Sequence, residues 1–215
     1  MDSAQAEKWL SEPRFQNFLR ASDGGHDEAV ALYLWNAEIS AAFLGTLHHV
    51  EVLLRNAIDA QFPAIDPEQP VSICQPNTWL TDPGIVSDLG REKVNEAIQR
   101  LVGEKRRPTR PRLIASLSFG FWAALFSGPY EDLWRSTLRA AFPAGNGKRN
   151  QVRKALTRTQ QLRNQVAHHE AVFGRNLEKD QKVMLGIAGY IDQEAEAFIR
   201  EQSSIDRILA QRPPV

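Results

Sequence analysis

One cysteine, two methionines and no excess of charge of either sign set the first limits on this chain of 215 residues. The lone thiol, Cys74, excludes an internal disulfide and any zinc site built from several cysteines. Such sparing use of cysteine is usual in a reducing compartment, so a cytoplasmic setting is expected. The 26 basic residues balance the 26 acidic ones, and overall charge therefore points to no polyanionic partner; only a local concentration of cations would. The opening "MDSAQAEKWLSEPRF" lacks the apolar run and small-residue cleavage site of a secretory leader. The longest apolar run, "LIASLSFGFWAALFSG" at 113–128, falls short of the roughly 20 residues that span a bilayer and suits a buried helix better, so no membrane partner is expected.

Strand signals are nearly absent too, as are repeats and low-complexity tracts. Helical periodicity dominates. With 42% apolar residues the chain can build an ordinary core, and the expected fold is an all-α, single domain over 1–215 with an irregular proline-rich insertion. Helices are predicted at 9–21, 28–62, 85–105, 113–126, 129–142, 148–173 and 177–202, the second being one long helix or two with a kink. The turn "SDGGHD" stops the first helix, and Asp27 is expected to cap the next. Pro129 is expected at a first helical position. The segment 63–83 holds five of the twelve prolines and is expected to be irregular, with Trp79 anchoring it to the core. A frayed tail follows residue 202.

The octet "RNQVAHHE", 163–170, concentrates an arginine, an asparagine, two histidines and a glutamate. At about 100° per residue, its helix puts Val152, Ala155, Leu156, Leu162 and Val166 on one stripe, and Arg163 falls inside it. An inward guanidinium is costly unless it meets a carboxylate or lines a cavity. On the long helix the apolar face comprises Leu32, Ile39, Phe43, Leu47, Val50, Leu54 and Ile58, and it also carries Asn36 and Glu51. We therefore expect Glu51 to hold Arg163 by charge-assisted hydrogen bonds across the bundle while leaving donors free for a ligand. His168 projects about 140° away from Arg163 on an ideal helix, whereas Asn164 shares its side. Either the helix distorts near "AHHE", or the site lies in a cleft closed by a second copy. For His169 the plain alternative is a solvated or capping residue, and Glu170 could simply pair locally or face the core.

The spacing Arg163, four residues, His168 matches the arginine–histidine motif of HEPN ribonucleases. Three segments, "YLWNAEISAAFLGTLHHVEVLLRNAI", "SLSFGFWAALFSGPYEDLW" and "LRNQVAHHEAVF", in that order, resemble the Abi-like family of bacterial abortive-infection proteins, over about 33–173. The resemblance implies a HEPN-like helical bundle, often dimeric, that cuts RNA without a metal or other cofactor in phage defence or as a toxin, under the control of an antitoxin or a phage-derived trigger. It further implies Arg163 and His168 as the catalytic pair, with Asn164 orienting or contacting the phosphate. Glu51, Arg55 and Asn56 match the family's "E...RN" portion, and His169 and Glu170 flank the motif. HEPN toxins silenced by nucleotide addition carry a tyrosine two positions after the histidine; Glu170 stands there, so that mode of control is not expected.

RNA brings its own nucleophile, the 2′-hydroxyl. Cutting it needs a proton acceptor, a proton donor and a cation on the phosphorane, roles that histidine and arginine fill. Base and acid would be one His168 from each protomer, or one histidine and a water. Other chemistries lack their signatures: no Walker loop, no His-Glu-x-x-His zinc motif and no nucleophile elbow around Ser118. For RNA capture the densest cationic run is Lys105, Arg106, Arg107, Arg110 and Arg112, with a solvated loop as the alternative. The rival to an enzyme is a silent helical module that binds RNA, a nucleotide or a protein partner through the same cleft.

Overall fold

The computed structural model describes residues 3–145 and 147–214, and these fold as an all-α bundle with no strand among them. Its axis is α3 (His26–Asp59), a single helix of 34 residues. No proline interrupts it, and Gly45 is its only glycine. Leu32, Ile39, Phe43, Leu47, Val50, Leu54 and Ile58 are all buried along its inner face, as the periodicity predicts. Against α3 pack α2 (Glu12–Ala21), α8 (Arg149–Ala167), α9 (Leu177–Ile191) and α11 (Ile205–Leu209). A stretch of α3 is long and apolar enough to cross a membrane, but half of it is buried by these neighbours. The buried apolar side chains form one continuous cluster from Phe15 to Ile208.

Several predicted helices are divided, each for a local reason. The first breaks at Ser11, whose φ of 65° separates α1 (Ser3–Leu10) from α2, and Pro13 sits in the first turn of α2. Gly25 caps α3; Asp27 instead lies in its first turn, where a carboxylate complements the helix dipole. Beyond α4 (Asp88–Gly103), the run at 113–126 splits into α5 (Arg110–Ser116) and α6 (Phe119–Ala124), because Leu117 is extended and Ser118 Oγ accepts from Phe121 N. Pro129 opens no α-helix: it lies in a 3-10 turn, Gly128–Tyr130, ahead of α7 (Glu131–Ser136) and a second 3-10 turn, Leu138–Ala141. Asp192 ends α9 and caps α10 (Gln193–Gln202), accepting from Glu194 N and Ala195 N at 2.7 and 3.0 Å.

The described chain past residue 202, 203–214, is not frayed. Ile205 and Ile208 of α11 are buried, and Trp35 Nε1 donates to Ile208 O at 2.8 Å while Arg212 stacks over the same indole. The proline-rich segment is irregular as expected, with Trp79 buried, stacked on Phe62 at 4.3 Å and donating to Asp59 Oδ1 at 2.7 Å.

Candidate functional site

The predicted helix over 148–173 ends at Ala167, and this decides how the octet is displayed. His168 is its C-cap, and His169 follows at φ 56°. Glu170 N donates to Gln165 O at 2.9 Å and His169 N to Val166 O at 3.2 Å, the paired bonds of a Schellman motif. Glycine usually occupies the left-handed position; a side chain there costs roughly 1–2 kcal/mol. The distortion begins only at His169: His168 N still bonds to Asn164 O at 2.9 Å, so His168 keeps the helical course on the side of Asn164, away from Arg163. His168, His169 and Glu170 are all exposed.

Two polar side chains, buried Asn36 and half-buried Arg175, hold this turn. Asn36, on the inner face of α3, accepts from Val172 N at 2.7 Å and donates to Glu170 O at 3.5 Å. On the other side Arg175 donates to both oxygens of Asp180, at 2.7 and 3.0 Å, and to Gln165 Oε1 at 2.7 Å. Asp180 is buried and also meets Arg158 of α8 at 2.6 Å. The histidine-bearing turn is thereby tied to α3, α8 and α9 at once. A groove of 440 Å3 opens beside it, lined by His169, Glu170 and Asn36 together with Arg14, Asn17 and Tyr33.

Arg163 is half-buried on α8, facing α3. Its neighbours by charge are those of Glu51: burial raises the Glu51 carboxyl above its usual range, and the positive charges of Arg163, Arg55 and His48 partly offset this. The expected hydrogen bond between Glu51 and Arg163 is not formed, and no ion pair joins them within 4.0 Å among the described residues. The half-buried carboxylate acts on the guanidinium through space and leaves its donors unengaged. Arg55 makes one long contact, from Nη1 to Ala115 O at 3.5 Å, and Asn56 and Asn164 are exposed. The fold thus gathers Glu51, Arg55 and Arg163 into one charged cluster and sets Asn164 and His168 on the solvent side of the same helix end.

The run 105–112 is not the uniform cationic loop expected of it. Arg110 is buried: Nε donates to Asp59 Oδ1 at 2.8 Å, Nη2 to Asp59 O at 3.0 Å, and Nη1 to Pro63 O. Its guanidinium fastens the proline-rich segment to the end of α3, with its donors taken up by Asp59 and the Pro63 carbonyl. Arg112 donates to Arg107 O at 3.1 Å, and Arg106 pairs with Glu104 at 3.4 Å. Lys105 and Arg107 remain as exposed cations, with Lys105 in the left-handed position that ends α4.

Asn36 was legible as an inward polar residue, but its partners were not, because they lie beyond the end of α8. The Arg175–Asp180 pair has no signal in the spacing. Among the described residues no group of three or more His, Cys, Asp or Glu could hold a metal ion. Comparison with known protein families, characterised proteins and solved structures finds no match to this chain.

Proposed function

We propose that this chain is an Abi-like protein of the HEPN ribonuclease type, a cytoplasmic, homodimeric, metal-independent endoribonuclease of phage defence or toxin action. One observation supports it above the rest: Arg163 presents a half-buried guanidinium with no hydrogen bond among the described residues, beside the carboxylate of Glu51 and five residues before an exposed histidine. An arginine fork kept charged and unengaged suits a non-bridging phosphate oxygen.

In the proposed reaction a base removes the 2′-hydroxyl proton and the freed oxygen attacks phosphorus. The bond from phosphorus to the 5′ oxygen breaks, and an acid protonates that oxygen. The products carry a 2′,3′-cyclic phosphate and a 5′-hydroxyl. Arg163 stabilises the charge gathered on the phosphorane, Asn164 orients the phosphate, and Glu51 and Arg55 set the field around the guanidinium. His168 of each protomer supplies base and acid on opposite sides of the bond. The turn built on Asn36 and Arg175 fixes the backbone that follows His168.

A second reading, a non-catalytic module binding RNA, a nucleotide or a protein partner, draws on the exposure of His168 in a single copy. Incubating the purified protein with total RNA in excess chelator decides between them. The nuclease gives fragments with 5′-hydroxyl ends, lost in His168→Ala and in Arg163→Gln. Identical fragments from all three proteins would overturn it.

A further inference from the structure

The balanced charge of the chain conceals a lopsided distribution. From Leu133 to His169 there is no acidic residue, against eight lysines and arginines. The structure folds this stretch into α8 and the segment leading to it, and it places a cavity of 550 Å3 at the amino-terminal end of the helix. Arg135, Arg139, Lys148 and Arg149 line that cavity against a single carboxylate, Glu131.

Glu131 is itself spoken for. It is bonded to Arg149 and, at 3.0 Å, to Arg135, and the Arg149 bond is the main reason its carboxyl lies below the usual range. Arg139 has no ion pair among the described residues. Its guanidinium lies over Gly147, where an added methyl would come within 2.9 Å of Nε and Nη2; Gly147 also has φ 70°. Glycine there allows both the turn and the approach of the guanidinium.

A continuous polar face leaves this cavity. Asn150, Lys154, Thr157, Gln161, Asn164 and His168 follow one another at intervals of four and three, and all are exposed. On a helix that spacing keeps them in one row, about 27 Å long at 1.5 Å per residue. Arg153 flanks the row and is exposed as well. The row begins at a cationic cavity, continues through amides and a hydroxyl that can donate and accept, and ends at the histidine.

We propose that this face of α8, with the cavity at its start, is a track for the backbone of single-stranded RNA. Arg139, Arg153 and Lys154 receive phosphates, and Thr157, Gln161 and Asn164 bond phosphate and sugar oxygens on the way to His168. The ligand class rests on the RNA reading above; the track shares Asn164 and His168 with that site but takes its cations, Arg139, Arg153 and Lys154, from outside it. A single row on one helix suits one strand, whereas a duplex is gripped across a groove by several elements.

The test is fluorescence anisotropy of a short labelled single-stranded RNA, titrated at several salt concentrations with full-length protein carrying His168→Ala so that the probe stays intact. Adding Arg139→Gln, Arg153→Gln and Lys154→Gln together is expected to lower the slope of log K against log salt by about two, at about 0.7 per phosphate contact. All three side chains are exposed, so the melting temperature should hold. An unchanged slope overturns the track, and so does equal binding of polyglutamate with the same salt dependence. Cleavage is scored separately. Wild-type cutting, abolished by His168→Ala while the triple variant leaves the slope alone, keeps the nuclease and sinks the track; a lowered slope with no cutting by wild type does the reverse.

Discussion

Replacing Arg110 by glutamine distinguishes a buried strut from an RNA contact. The side chain is 7% exposed and its partner Asp59 23%. Glutamine is too short to reach both Asp59 and the Pro63 carbonyl, so the change removes the pair along with the bonds to two backbone oxygens. Removing one partner of a buried pair costs about 3–5 kcal/mol. Two features favour the lower end of that range: water reaches the Asp59 carboxylate, and Trp79 Nε1 still donates to it. A loss of about 3 kcal/mol corresponds to a fall of roughly 6–12 °C in melting temperature for a domain of this size. Thermal unfolding followed by circular dichroism measures it. The double variant Asp59→Asn with Arg110→Gln should lose less than the sum of the two singles, because asparagine retains an acceptor for Trp79 and leaves no unpaired charge. RNA binding by Arg110→Gln at a temperature where it is folded should keep the wild-type salt slope. A melting temperature within about 1 °C of wild type, with a slope lower by about 0.7, would refute the buried strut and return Arg110 to the RNA-binding surface.

Asn36→Ala orphans the buried Val172 N–H and should destabilise the protein by about 1–3 kcal/mol in urea unfolding, while reducing RNA cleavage more than RNA binding because the histidine turn loosens; full stability would mean that another acceptor replaces the amide. His169→Gly relieves the left-handed strain but adds freedom to the unfolded chain, so a net gain of about 0.5–1 kcal/mol is expected; a loss would show that the imidazole makes a stabilising contact. Glu51→Gln tests the buried carboxylate. Its pKa is raised in the folded protein, so the folded state holds a proton that the unfolded chain releases as pH climbs above the ordinary value, and stability falls through that interval and stays lower above it. Glutamine should therefore melt higher than wild type at neutral pH, with the advantage vanishing below the ordinary carboxylate range, and should cut RNA more slowly; a lower melting temperature at neutral pH would refute the sign.

The architecture was legible wherever one face of a long helix repeats. The apolar stripes of α3 and α8 occupy the predicted faces, down to Asn36 and Glu51 as the polar members of the first. Breaks were not legible, because they depend on single caps: Ser118 and Asp192 each offer an oxygen to nearby N–H groups that an unbroken helix would have satisfied itself. The density of cations at 105–112 misled for a related reason. Sequence counts charges without showing which are already paired, and Arg110 serves a carboxylate 51 residues away. The acid-free stretch from Leu133 to His169 was present all along but diluted by apolar residues. Only the helix brings its polar members into one row.

Three local liabilities meet at the carboxyl-terminal half of α8: a side chain in the left-handed position at His169, a carboxylate disfavoured by burial at Glu51, and a half-buried guanidinium without a hydrogen bond at Arg163. None is diagnostic alone. Ser11, Asp23 and Lys105 have positive φ as well, and each follows from the way a helix begins or ends. What sets the α8 end apart is that the structure around it is over-determined, with Asn36 on one side and the Arg158–Asp180–Arg175 cluster on the other. Residues that stabilise the fold do not need such reinforcement, whereas strain that persists inside a rigid frame is the usual condition of a site prepared for a ligand. The liabilities share a chemistry too: a cation kept charged but unsatisfied gains most when an anion arrives, and burying Glu51 beside it rather than bonding the two leaves that gain available to a phosphate.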